Sequence, residues 1–193
     1  MFKHELPQIF DKKKMLSTLY IDLYRANRKH GLFALISTAI RKREFRYIVY
    51  YRWYQSKKLR PLAWLCLRSL SHKTLIDIGW KAHVGAGLVI VHSGGIAVNN
   101  DTHIGKNCTI YRGATIGMEF RGARRGSPII GNNVWIGSNA AIVGNITIGD
   151  DVLIAPLAFV NFDVPSHSIV IGNPARIIHR DNATEGYITN IKL

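Results

Sequence analysis

Imidazole is the side chain best suited to moving protons near neutral pH, and this chain carries eight histidines. A lone histidine is more often structural than catalytic, so position decides between them. His92 stands in Val91-His92-Ser93-Gly94-Gly95, inside one of two places where an otherwise regular pattern slips. His83 and His103 close six-residue units and are expected at outward, solvated corners. Spacings of nine and eleven between His83, His92 and His103 are unlike those of a zinc motif, so no metal is expected. Cys66 and Cys108 lie far apart without CxxC spacing and read as two buried thiols. The second slip, Gly117 to Pro128, is polar, glycine-rich and basic. Its Arg124 and Arg125 offer guanidinium groups of the kind that grip phosphate. Breaks in a regular solenoid are where function is usually grafted.

The pattern that these breaks interrupt is a hexapeptide period. Ile or Val recurs at 78, 84 and 90, then after a two-residue slip at 98, 104, 110 and 116, and after the loop at 130, 136, 142, 148, 154 and 160. Glycine follows at 79, 85, 105, 117, 131, 137 and 149, where a turn is expected to need its permissive backbone. Four residues after each aliphatic the side chain is usually small or branched, as at Ala82, Cys108, Ala114 and Ala140. This is the signature of a parallel β-helix, in which three hexads make one triangular coil of eighteen residues and the aliphatics stack inside.

Three regions follow: a helical, basic, aromatic-rich segment over 1–75, the β-helix over 76–165 with a loop extruded at 117–128, and a short tail over 166–193. The first reads as helices over Lys13 to Lys29, ending at Gly31 as a C′ glycine, then Leu32 to Ile40, Arg43 to Lys58, and a last one opening near Pro61. The formal charge of +14 is uneven: residues 1–76 hold 17 Lys+Arg against 4 Asp+Glu, and 77–193 hold 9 against 8. Such asymmetry points to an anionic partner for the first third. Phe45, Tyr47, Tyr50, Tyr51, Trp53 and Tyr54 surround their helix, which is therefore packed against the β-domain or another subunit, or lies at a membrane interface. The opening Met-Phe-Lys-His-Glu-Leu-Pro lacks the features of a secretory signal, and the longest apolar run, Gly31 to Ile40, is too short to span a bilayer. A cytoplasmic protein touching the inner membrane face is expected. Nucleic acid is the weakest partner, since no recognition motif accompanies the charge.

Four stretches carry a family likeness in matching order: Ile76-Asp77-Ile78, Val91-His92-Ser93-Gly94-Gly95, the loop ending Arg125-Gly126-Ser127-Pro128, and Gly172-Asn173-Pro174-Ala175-Arg176. Over about residues 76 to 180 the chain resembles the hexapeptide acyltransferases, most closely the serine acetyltransferase-like branch. Asn133-Val134-Trp135-Ile136-Gly137 is similar to the xenobiotic and sugar acetyltransferases. The resemblance implies a left-handed parallel β-helix, a homotrimer, and acetyl-CoA as co-substrate, bound along the groove between subunits. It makes His92 the general base and Asp77 the carboxylate that holds its imidazole. The pair lies fifteen residues apart, three short of a coil, and is expected to stack closely. Gly117, Ala140 and Ala155 match positions where the family lets the pantetheine arm approach, and Arg124, Arg125 and Arg176 are placed to meet CoA phosphates.

Departures from the family bear on the acceptor. Serine acetyltransferases carry an acidic residue where Val91 stands, a glutamate at Asn100, and a histidine at Ser127; Arg112 replaces a neutral amide. The helical region is also about half the length of the one that pairs trimers in that branch, so a single trimer is expected. These losses favour a sugar hydroxyl in surface-polysaccharide assembly, with Asn100, Arg112, Ser127 and Trp135 lining the acceptor site. The alternatives are serine O-acetylation in cysteine biosynthesis and a non-catalytic, membrane-binding β-helix.

Overall fold

The computed structural model describes residues 12–56 and 59–191. The expectation about a secretory signal falls on residues outside that range. Four helices come first: α1 (Lys12–Asn27), α2 (Leu32–Arg41), α3 (Arg43–Gln55) and α4 (Arg60–Thr74). Helix α1 stops earlier than its periodicity suggests. The Asn27 amide donates to Thr38 Oγ1 and its carbonyl accepts from the Lys29 N–H, while Arg28 takes a left-handed conformation. Gly31 accordingly caps the start of α2 rather than the end of α1.

The all-round aromatic helix is α3, and burial explains it. Phe45, Tyr47, Ile48, Val49 and Tyr51 are buried, with Phe45 and Val49 facing α1 and α2 and Tyr47, Ile48 and Tyr51 facing the β-domain. A polar clamp completes this junction. Arg52 pairs with Asp22 at 3.0 Å and donates to the carbonyls of Val84 and Gly85, and Asp22 Oδ1 accepts from the N–H groups of Gly87 and Leu88. Both side chains are buried, and each hydrogen-bonds the backbone of the first coil as well as its partner, the condition under which a buried ion pair is tolerated.

The strands run β1 (Ile76–Ile78), β2 (His83–Val84), β3 (Val89–Val91); β4 (Ile96–Val98), β5 (His103–Ile104), β6 (Thr109–Tyr111); β7 (Thr115–Gly117), β8 (Ile129–Ile130), β9 (Val134–Ile136); β10 (Ala141–Val143), β11 (Thr147–Ile148), β12 (Val152–Ile154); β13 (Phe159–Val160), β14 (Ser168–Ile171) and β15 (Arg176–His179). They form three parallel faces: β1-β4-β7-β10-β13, β2-β5-β8-β11, and β3-β6-β9-β12-β14, with β15 antiparallel on the last. This is a left-handed β-helix of about five coils. All thirteen recurrent Ile and Val residues are buried along its axis. The face carried by β14 continues past residue 165, so the prism is longer than the repeat pattern alone suggests.

The register records where the repeat breaks. Ala97 pairs with Thr115 and Ala141 with Phe159, positions eighteen apart, whereas Asp77 pairs with Ala97 two residues late and Thr115 with Ala141 eight residues late. The glycines that follow the aliphatics do not have positive φ. They are small because coils touch: a Cβ on Gly105 would lie 2.5 Å from the Gly131 carbonyl oxygen, and one on Gly79 2.6 Å from the Asn100 backbone. Gly117 differs, since a Cβ there would make ordinary 3.8 Å contacts as the chain leaves the prism for the loop.

Candidate active site

His92 occupies the corner between β3 and β4, where the first coil carries its two extra residues. Its backbone is left-handed, with φ of 63°, and Gly94 and Gly95 also have positive φ. Asn139 and Leu157 adopt the same conformation at the equivalent corners of later coils, so this is the local geometry of a prism corner. The His92 side chain is exposed and lines a cleft of about 360 Å³ with Lys42, Glu44, Phe45 and Val91.

The carboxylate in that cleft is Glu44, in the first turn of α3. Its Oε1 accepts from the Ser93 N–H at 3.0 Å and the Ser93 hydroxyl at 2.5 Å. Burial works against ionisation of Glu44, but the Ser93 hydrogen bonds and the nearby His92 outweigh it and hold the carboxyl below its ordinary range. A helix N-terminus is itself a favourable place for negative charge. Sequence reasoning passed over Glu44. The available signal was its isolation, as the sole acidic residue between Asp22 and Asp77 in a strongly basic stretch.

Asp77 lies in β1, on the first face of the prism. It is exposed on β1 in a depression with Tyr47, Trp64, Arg68 and Trp80, apart from the His92 cleft, and among the described residues no hydrogen bond joins it to His92. Asp77 pairs with Ala97, five residues after His92, so one sits mid-strand on the first face and the other at the corner where that face begins. Tyr47 closes the floor of that depression, its hydroxyl accepting from the Ile78 N–H, and burial pushes its phenol up to about 12.

Of the expected acceptor residues, Arg112 shares the His92 corner. Val91 pairs with Tyr111, so His92 and Arg112 follow at stacked positions, and the Arg112 N–H donates to the Val91 carbonyl. Asn100 and Ser127 lie at the next corner, between the first and second faces. There Asn100 accepts from the Lys81 N–H, and Ser127 donates to Asn99 at 2.9 Å, so each has a structural bond in place of a free acceptor contact. Trp135 is buried on the outer side of the third face, packed against Tyr111, Leu153 and Ile188 with Tyr187 edge-on, which makes it an anchor for the C-terminal tail.

The CoA residues also divide. Ala140 points into the prism and is fully buried, so its methyl group is core and offers no surface to a pantetheine arm. Ala155 faces outward beside Trp135 in a cavity of about 520 Å³ beneath the tail. Arg124 and Arg125 are exposed on the loop, and Arg176 is exposed on β15. The loop is tied down by a Glu119–Gly126 bridge and by the Asn145 N–H, which donates to the Arg124 carbonyl. His83 and His103 sit on paired strands rather than corners, their rings stacked at 5.7 Å. Cys108 is sealed in the core, where burial pushes its thiol up to about 12, while Cys66 is half-buried on α4. Among the described residues no cluster of three His, Cys, Asp or Glu side chains could hold a metal ion, and no helix is long and apolar enough to cross a membrane.

Residues 127–161 match the family model described as bacterial transferase hexapeptide (six repeats). A serine acetyltransferase from Helicobacter pylori is 40% identical over 110 residues, covering 56% of this chain and 63% of that protein. The crystal structure of the Neisseria gonorrhoeae serine acetyltransferase in complex with serine superposes with a TM-score of 0.68 at 30% identity, covering 86% of this chain and 70% of that one. That of the Brucella abortus enzyme in complex with coenzyme A gives 0.73 at 26%, covering 88% and 70%. This chain belongs to the hexapeptide-repeat acyltransferases, built on a left-handed β-helix. It spans 48% to 63% of the length of the first curated relatives it matches. These relatives are serine acetyltransferases, which overturns the expectation of a sugar acceptor in polysaccharide assembly. Within one chain Asn100 and Ser127 sit at a different corner of the prism from His92.

Proposed function

We propose that this chain transfers an acetyl group from acetyl-CoA to the hydroxyl of serine, with His92 as general base. The observation that carries the reading is the His92 corner: an exposed imidazole at the coil insertion, in a cleft with an ionised Glu44 and one coil from the Arg112 guanidinium. A free amino acid is a zwitterion, and this corner offers one group of each sign. Glu44 suits the ammonium that Val91 cannot hold, and Arg112 suits the carboxylate. Neutral His92 takes the proton from the serine hydroxyl as its oxygen attacks the thioester carbon. The C–S bond then breaks, and the imidazolium returns the proton to the departing thiolate.

The chain does not bring its own loop to its own His92. They occupy successive corners of the prism, so we infer a homotrimer in which Arg124 and Arg125 of one copy meet CoA bound along the His92 corner of the next. Ala155 and Arg176 suit the far end of that groove, on the third face. Thiol release from acetyl-CoA, followed with and without L-serine, tests the reaction; absence of serine-dependent turnover defeats it. Co-expression of His92→Ala with Arg124→Ala/Arg125→Ala tests the shared site. Mixed assemblies are expected to regain activity that neither variant has alone, and no regain means that each copy works with its own loop.

A further inference from the structure

Helix α2 has two apolar faces, and the fold covers one. Leu35 and Thr38 turn inward, Leu35 joining Met15, Leu19, Leu23, Phe45 and Val49 in the core of the helical region. On the opposite side Leu32, Phe33, Ile36 and Ile40 form a stripe about 100° wide at helical spacing. Phe33 is 86% exposed, Ile40 67% and Leu32 60%. The stripe lies between two groups of exposed cations, Arg28 and Lys29 before the helix and Arg41, Lys42 and Arg43 at its C-terminal end. Between Asp22, which is buried, and Glu44, which is held by Ser93, the sequence has no acidic residue at all.

We infer that α2 docks flat on an anionic lipid surface, its stripe sunk to the level of the acyl chains and the flanking cations among the headgroups. A ten-residue helix is too short to span a bilayer, and an apolar face with basic ends is the pattern of a helix that lies in the interface. The charges decide against a second copy of this chain as the occupant. A symmetric α2–α2 contact would bring two cationic rims together with no carboxylate on either side to offset them, and like charges opposed across an interface disfavour association. Lipid with anionic headgroups satisfies the stripe and the cations together. The prism, with nearly balanced charge over residues 77–193, stays in solution. This differs from the sequence expectation in the element concerned: aromatic α3, the obvious interfacial candidate, is buried, and α2 presents the free face. The inference is independent of the acceptor and of the role of His92.

The test is co-sedimentation of the full chain with vesicles of phosphatidylcholine, alone or with a third of phosphatidylglycerol, at low and near-physiological salt. Binding to the anionic vesicles is expected, weakening as salt screens the cations. Phe33→Ser/Ile40→Ser is expected to lower partition by about 10-fold or more, and Lys29→Glu/Arg41→Glu to abolish the preference for anionic lipid. All four positions are exposed, so circular dichroism and acyl transfer should be unchanged in both variants. Failure to bind anionic vesicles at low salt overturns the inference, as does binding that neither variant alters. If Phe33→Ser/Ile40→Ser instead reduces the assembly size in sedimentation velocity without vesicles, the face belongs to a second copy and the lipid reading is wrong.

Discussion

In the prism each coil finds its backbone partners in the coil beside it, eighteen residues away where the repeat is unbroken, so the same pairing recurs along each face with the same aliphatic filling. The helical region satisfies its backbone inside each helix and meets the prism through a mixed junction: apolar Tyr47, Ile48 and Tyr51, and the buried Asp22–Arg52 clamp on residues 84 to 88. The first arrangement is redundant, and damage to one coil leaves its neighbours paired. The second depends on a few side chains. Yet the junction supplies the carboxylate beside His92, so a region with no repeat and no catalytic motif shapes the corner that the repeat presents.

The largest effect separating the two regions should come from Asp22→Ala. It strands Arg52 as an unpaired buried charge, and the expected loss is about 3–5 kcal/mol in denaturant unfolding, with the helical signal lost before the prism. A loss below about 1 kcal/mol would mean that apolar packing alone holds the junction. His92→Ala should lower kcat by about 100-fold or more without moving the melting temperature, because the side chain is exposed. Full activity in that variant would remove the prism corner from the chemistry. Glu44→Gln keeps an oxygen to accept from Ser93 and deletes the charge. It should raise KM for serine by about 10-fold and leave that for acetyl-CoA nearly unchanged; an equal rise in both would make Glu44 a mere brace.

The smallest effect concerns acid. Glu44 and Asp151 both have carboxyls below their ordinary range. For Asp151, hydrogen bonds from Thr184 and His167, and from the backbone of Ala183 and Thr184, outweigh burial. A depressed folded value means that the stabilisation is complete above the unfolded value, about 4, and fades as pH falls through the lowered folded value. Melting temperature should therefore drop over that acid range, and Asp151→Asn should flatten the tail's share of the drop, seen by Tyr187 or Trp135 emission. An unchanged pH profile would show the tail held by Trp135, Leu153 and Ile188 alone.

Much of the prism was legible because its constraints are local and repeated. Ile136 or Ile148 faces inward for the same reason as every other aliphatic in the series, and a slip of two residues or an excursion of eight shows against that background. The seven glycines were correctly found and wrongly explained. Their φ values are ordinary, and what excludes a side chain is the backbone of the next coil, a fact of stacking that no single hexad contains. Ala140 and Ala155 illustrate a related difficulty. Both are small residues near the same type of corner, but one points in and the other out.

By itself the sequence determined the coil, its breaks and the exposed imidazole at one of them, because a six-residue period leaves each aliphatic a single place to go. Which charges meet was decided by the tertiary structure alone. Asp77, on β1, lines a depression of its own and makes no hydrogen bond to His92 among the described residues, while Glu44, forty-eight positions before His92, arrives there on a helix that the repeat says nothing about. Periodicity specifies position along and around the prism; it carries no information about what packs onto the outside, where the helices, the tail and the free face of α2 were placed by long-range contacts.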